Sequence, residues 1–288
     1  MTYIEDSICT SDRLRLYIRR HEASNARADV VLVHGLGEHS GRYLPLTNYL
    51  VERNYSVTAY DHRGHGKSEG LRGHVEKFTD YEDDLDRVVS SVEGHPSHRG
   101  TFIIGHSMGG LVALRYAAKS SARLAGLVVS APAIKVAAKV PRAKLMAARI
   151  SAAVAPRVRL DNGIDPSSLS RDPEVGKAYA SDPLVNRLVS ARWYAEITEA
   201  MREVRGLGPL LTLPLLMLQG TEDKLISEDG AKRLFEEVSS KDKELKIYPG
   251  YYHELFNEPE KFEVYDLVAS WLEARSAHFT SAGGRRGI

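Results

Sequence analysis

The segment from Phe102 to Lys119 narrows the folds open to this chain more than any other. Phe102 to Ile104 reads as a buried strand, Gly105-His106-Ser107-Met108-Gly109-Gly110 as a tight turn, and Leu111 to Lys119 as a helix of good helix formers. A serine at the apex of such a turn sits in a strained backbone conformation. The chain tolerates it only where the residues two before and two after carry no side chain to strike the adjoining strand and helix, and Gly105 and Gly109 meet that need. The five-residue pattern alone is weak, because Gly66-Lys67-Ser68-Glu69-Gly70 matches it as well. That second match lies several residues beyond a strand ending at Tyr60 and leads into Leu71-Arg72-Gly73, a poor helix start. Ser68 is therefore read as a loop serine and Ser107 as the candidate nucleophile, with a helix-capping serine as the plainer alternative for Ser107.

Other runs of branched residues recur at Val30 to Val33, Val57 to Tyr60, Leu127 to Val129, Leu215 to Leu218 and Leu245 to Tyr248, and read as buried strands. Between them Phe78, Tyr81, Leu85, Val88, Val89 and Val92 fall on one helical face. Phe262, Tyr265, Val268, Ala269 and Leu272 do so again after Pro259, which is read as opening the last helix. Strands alternating with helices predict an α/β chain with a mostly parallel sheet covered on both sides. Leu14 to Ile18, with Tyr3 to Cys9 before it, would add antiparallel edge strands. The alternation breaks from Pro132 to Gly208, where helical patches and Pro-marked turns contain no convincing strand. The expected organisation is a core from residues 1–131 and 209–276, an inserted helical cap at 132–208, and a tail at 277–288 too polar and Gly-rich to pack.

At 288 residues the chain can bury a large single core. Its 39 Lys and Arg against 38 Asp and Glu give no reason to expect nucleic acid or another strongly charged partner. The lone Cys9 stands outside any redox or metal-binding spacing and is read as inert. The acidic start of the chain lacks the apolar core of a signal peptide, and nowhere do ~18 apolar residues run together, so a soluble intracellular protein is expected.

A serine presented at a strand-to-helix turn of such a sheet is the signature of the α/β-hydrolase fold, where the triad follows in the order serine, acid, histidine on loops after later strands. Beyond Ser107 the histidines are His253, which follows the strand at Leu245 to Tyr248 through Pro249-Gly250, and His278, which falls in the tail. His253 is thus the candidate base. Asp223, just past the strand at Leu215 to Leu218, is the candidate acid; Glu222 would point the other way, and Asp229 belongs to a helix that Ser227 is placed to cap. The Met108 amide opens the helix after the nucleophile and the Leu36 amide lies in the loop His34-Gly35-Leu36-Gly37, so these two are the candidate oxyanion donors.

Three rival readings use the same loops. Gly35-Leu36-Gly37-Glu38-His39-Ser40, with Asp61 ending the next strand, resembles a dinucleotide fingerprint, but Ser40 stands where the third glycine belongs and the triad would be left without purpose. His34, His39, His62 and His65 cluster without cysteine or a helical His-x-x-x-His, so they are read as loop-packing residues and no metal or cofactor is expected. A hydrolase fold kept only as a binding module would have no use for a complete triad.

With these residues placed, the sequence resembles the monoacylglycerol lipase and lysophospholipase group of serine hydrolases over nearly its whole length. The resemblance rests on HGLGEHSGRY (34–43), AYDHRGHGKSEG (59–70), GHSMGGLVALRYA (105–117), QGTEDKLIS (219–227) and YPGYYHELFNEPE (248–260). It implies hydrolysis of monoacylglycerol to fatty acid and glycerol without cofactor, under a cap guarding an acyl tunnel. It also implies Leu36 and Met108 as the oxyanion pair, and Glu38 and Arg42 as residues shaping the polar end where glycerol sits; a salt bridge stabilising the loop is the other reading of that pair. Lysophospholipids, other carboxylic esters or acyl transfer to an alcohol would suit the same triad, because the cap selects the substrate. Between Ala131 and Leu160 the basic residues Lys135, Lys139, Arg142, Lys144, Arg149, Arg157 and Arg159 occur with no acid, interleaved with Ile134, Val136, Val140, Leu145, Met146 and Ile150. Such a cap suits peripheral contact with an anionic membrane surface, a solvated basic surface being the alternative.

Overall fold

Branched side chains on alternate positions need apolar cover on both faces, and the fold supplies it with two helical layers. The computed structural model describes residues 2–95, 97–137 and 150–281. In chain order the described strands are β1 Thr2–Cys9, β2 Arg15–Glu22, β3 Ala28–Val33, β4 Tyr55–Tyr60, β5 Thr101–His106, β6 Leu124–Ser130, β7 Arg159–Asp161, β8 Leu188–Ser190, β9 Leu215–Gly220 and β10 Lys243–Tyr248. The described α-helices are α1 Leu44–Glu52, α2 Thr79–Glu93, α3 Met108–Ser120, α4 Pro173–Ser181, α5 Ala191–Glu203, α6 Glu228–Glu237 and α7 Lys261–Ser281.

Eight of these strands form one sheet in the order β1-β2-β4-β3-β5-β6-β9-β10. The pairings from β4 through to β10 are parallel, while β1 with β2 and β2 with β4 are antiparallel. Along β3, Val31 and Val33 join the core under α2, α3 and α6, and Val30 and Leu32 join the core under α1 and α7. From β3 the chain steps one way to β4 and then the other way to β5. The crevice beyond the carboxyl ends of β3 and β5 is thus a topological switch point, where open α/β sheets place their sites.

The structure amends several expectations. The segment between β6 and β9 does contain strands: β7 and β8 pair antiparallel, but at three residues each they are too short to show a period in sequence. Phe262 is 58 % exposed and packs its ring against Tyr49 and Tyr265 at the surface, so it leaves the buried stripe of α7. Pro259 lies in the turn before α7, which begins at Lys261 and continues to Ser281, past the point where the sequence suggests a tail. Ser227 stands at the N-cap of α6 without a side-chain capping bond. Of the basic cap stretch, Lys139, Arg142, Lys144 and Arg149, with Val140, Leu145 and Met146, lie outside the described residues. Of the rest, Ile134 is buried in the core, Lys135 pairs with Asp229 at 3.1 Å, and Arg157 and Arg159 are exposed.

The turn at Ser107 is fixed by closeness on both sides. Ser107 has φ 52° and ψ −116°, a left-handed conformation that side chains rarely adopt. A methyl on Gly105 would lie 2.7 Å from the Gly109 carbonyl oxygen, and one on Gly109 would lie 2.2 Å from that of Val33. The Ser107 amide donates to the Ser130 carbonyl on β6 at 3.0 Å, and the Ser107 carbonyl accepts from Ala133 at 3.0 Å. Gly109→Ala must push α3 off β3. We expect it to destabilise the protein by about 3 kcal/mol or more, read as a lower urea midpoint at unchanged m value.

Candidate active site

The loops after β5, β9 and β10 each carry one chemical group to the same place. Ser107 leaves β5, Asp223 follows β9, and His253 follows β10 through a turn in which Gly250 has φ +80°. The structure brings all three together: His253 Nε2 lies 2.9 Å from Ser107 Oγ, and His253 Nδ1 lies 2.8 Å from Asp223 Oδ2. Asp223 is held in turn, with Oδ1 accepting from the Leu225 and Ile226 amides at 2.9 Å each and Oδ2 accepting from Gln219 Nε2 at 3.1 Å. The two competing acids lie elsewhere: Glu222 is exposed, and Asp229 is paired with Lys135. His278 falls on α7.

Burial on its own lowers the His253 pKa, but the Asp223 charge and hydrogen bond, with Glu254 and Glu38 beyond, outweigh it and hold the imidazole above its usual value. For Asp223 burial acts upward, and the His253 charge with the two loop amides brings the carboxyl below its ordinary range. An ionised Asp223 accepts a hydrogen bond from Nδ1–H, which leaves Nε2 free to accept the hydroxyl proton of Ser107. Beside them, burial and the nearby His253 push His106 down to about 4, so this ring, 4.7 Å from that of His253, stays neutral.

The loop after β3 is knotted by buried charges. Glu38 Oε1 accepts from the Gly35 amide and from Tyr43 Oη, both at 2.6 Å, and Oε2 accepts from Arg42 Nη1 at 2.9 Å. Arg42 also grips Glu254 with two bonds of 2.6 and 2.7 Å, and its guanidinium lies over the Tyr179 ring of α4. The charged atoms of Glu38 and Arg42 thus meet protein partners. A Cβ on Gly35 would sit 3.2 Å from Ser107 Cβ, so this loop lies directly against the nucleophile turn. Leu36 follows it in the loop, and Met108 opens α3 on the other side.

The rival motifs serve packing. Ser68 Oγ donates to the Asp61 carbonyl at 2.5 Å and accepts from the Tyr17 amide at 2.8 Å, as a loop serine would. Asp61, fully buried, accepts from the Ser40 and Lys67 amides at 2.8 and 2.7 Å and so serves the loop from inside the protein. His34, His62 and His65 are buried ring against ring. Burial brings His34 to about 4 and His65 to about 3, and sets His62 well below its usual value. His39 is turned to Asp182 of the cap at 2.8 Å. Among the described residues no three His, Cys, Asp or Glu side chains are grouped to hold a metal.

Sequence reasoning missed the residues that hold the His253 loop. The Glu254 amide donates to the Leu169 carbonyl of the cap at 2.7 Å. Glu258, fully buried, accepts from the Tyr252 amide at 2.6 Å with one oxygen and from Arg171 Nε, in the segment between β7 and β8, at 2.9 Å with the other. Gln219 was hidden inside β9, where nothing marks a polar residue as an orienter. The signal available for the others was three glutamates, at 254, 258 and 260, crowded beside the histidine of a loop bound to be enclosed.

Comparison with known proteins follows this geometry. The family model described as serine aminopeptidase, S33 matches residues 24–260. The monoacylglycerol lipase of Mycolicibacterium smegmatis is 37% identical over 257 residues, covering 86% of this chain and 89% of its own. The monoglyceride lipase of Homo sapiens is 37% identical over 255 residues, covering 87% and 84%. The crystal structure of Paleococcus ferrophilus monoacylglycerol lipase superposes with a TM-score of 0.84 at 36% identity, over 90% of this chain and 99% of that one.

The electrostatics yield a direct expectation. By NMR the His253 ring should titrate above about 6.5, and Asp223→Asn, by removing the charge that favours imidazolium, should move the titration to lower pH. An unchanged midpoint in the variant would show that Asp223 does not set it.

Proposed function

The chain belongs to the serine aminopeptidase S33 family, in the monoacylglycerol lipase group of serine ester hydrolases, and from that premise we propose that it hydrolyses monoacylglycerols to fatty acid and glycerol. The observation that carries the reading is the continuous hydrogen-bonded relay Ser107, His253, Asp223 at the switch point of the sheet. In this scheme His253 Nε2 takes the Ser107 proton as Oγ adds to the ester carbonyl carbon. The Leu36 and Met108 amides take the developing oxyanion, with the N-terminal end of α3 behind Met108. The carbon–oxygen bond to glycerol then breaks, the alkoxide leaves with the proton from His253, and an acyl ester remains on Ser107. Water, giving a proton to the same nitrogen, attacks that ester; the fatty acid leaves as the proton returns to Ser107. Asp223 holds the ring and balances its transient charge. We assign Glu38 and Arg42 to the polar end of this site through the loop they fasten.

The substrate assignment is tested by turnover of monoacylglycerols, lysophosphatidylcholine, triacylglycerol, nitrophenyl esters of graded chain length and an aminoacyl nitroanilide. Monoacylglycerols should lead, and Ser107→Ala should lower kcat by roughly 10⁴-fold or more. Preference for the lysophospholipid or the anilide would overturn the substrate; undiminished activity in Ser107→Ala would overturn the mechanism.

No described helix is long and apolar enough to cross a membrane. We place the protein in the cytoplasm, meeting lipid at a membrane surface through its cap. Support comes from the basic run between Ala131 and Leu160 together with Ile150, Val154 and Val158, which are 57, 77 and 49 % exposed. Changing three of the cap lysines and arginines to Glu should weaken binding to phosphatidylglycerol vesicles several-fold and spare hydrolysis of a short soluble ester. Equal loss of both would count against membrane contact.

A further inference from the structure

The residue beside the base makes bonds that neither the triad nor the family resemblance accounts for. Glu254 is 4 % exposed, and its carboxylate accepts two bonds from Arg42 and one from Asn257 Nδ2 at 2.8 Å. Arg42 reaches on to Glu38, and Glu38 to the Gly35 amide. One chain of charge-assisted bonds thus runs from the loop that carries His253 to the loop that lies against Ser107. Two carboxylates flank one guanidinium, so the chain holds a net negative charge. Such a charge acts on His253 in a poorly screened interior, where it favours the protonated ring.

We propose that Glu254 is a positioning residue for His253: with Arg42 and Glu38 it fastens the histidine loop to the Gly35-Leu36-Gly37 loop, and it supplies negative charge that favours the imidazolium formed as Ser107 gives up its proton. This rests on the reading of Ser107 and His253 as nucleophile and base. The groups facing the ring are Ser107 and Asp223 in direct contact, His106 at 4.7 Å between centroids, and the charges of Glu254, Glu38 and Arg42. His106, held near 4, stays neutral through the range in which His253 titrates. Both Glu254 and Glu38 raise the His253 pKa, so removing the Glu254 charge lowers it.

The test is the pH profile of nitrophenyl butyrate hydrolysis, with kcat normalised to sites titrated by a fluorophosphonate. Glu254→Gln should lower plateau kcat about tenfold with KM little changed, and move the acid limb down by about one pH unit. Glu254→Asp, which keeps the charge, should recover the limb. Arg42→Lys, which keeps the cation but loses the two-pronged grip, should lower kcat. A Glu254→Gln enzyme with a full complement of sites and the wild-type kcat and limb would overturn the proposal. So would a loss of kcat with the limb unmoved, since that is what a merely structural residue gives. Should Glu254→Gln fail to fold, an Arg42→Lys enzyme with wild-type kcat would overturn it alone. Activity surviving in Ser107→Ala would instead sink the reading of the triad.

Discussion

Gly109 lies so near the Val33 and His34 carbonyls that α3 can start only where it does, close against the end of β3. That approach holds Ser107 at φ 52° and pins its side chain outside the sheet edge. It also brings the loop after β3 against the nucleophile turn, where Gly35 meets Ser107 Cβ. Backbone strain of this kind costs on the order of 1–3 kcal/mol and persists only when its surroundings over-determine it. Here the bonds to Ser130 and Ala133 and the packed core on either side of β5 do so.

Around that point the interior is polar, and the carboxylates of its loops are committed to partners. Buried carboxylates at 38, 61, 223, 254 and 258 each accept bonds from loop amides, arginines, amide side chains or His253, so they act as staples for segments with no regular secondary structure. Buried histidines at 34, 62, 65 and 106 are kept neutral by burial, while His253 faces enough negative charge to be raised. A serine hydrolase needs this contrast, because its base must accept a proton in a place where other imidazoles refuse one. The segment between β6 and β9 takes part as well, since Leu169 and Arg171 bond to the His253 loop and Asp182 to the loop after β3.

The parallel sheet and its covering helices were legible because buried strands leave runs such as Val30 to Val33, and amphipathic helices leave stripes such as Tyr81 to Val92. Ser107, Asp223 and His253 could be singled out because the fold presents groups at strand ends in a fixed order. What misled was local. Phe262 kept the period of α7 but fell beyond its buried edge, and β7 and β8 are a pairing of distant short segments that no window along the chain contains.

The sequence by itself determined the sheet, the turn at Ser107 and which acid and imidazole could reach it, because periodicity, glycine spacing and chain order are properties of neighbours along the chain. Only the tertiary structure decided that Glu38, Arg42 and Glu254 form one bonded network, that Asp61 serves loop amides, and that Glu258 ties the His253 loop to Arg171. Those are contacts between residues as much as 212 positions apart. Which carboxylate meets which cation is set by how the loops fold over the sheet edge, and no pattern of neighbours encodes that.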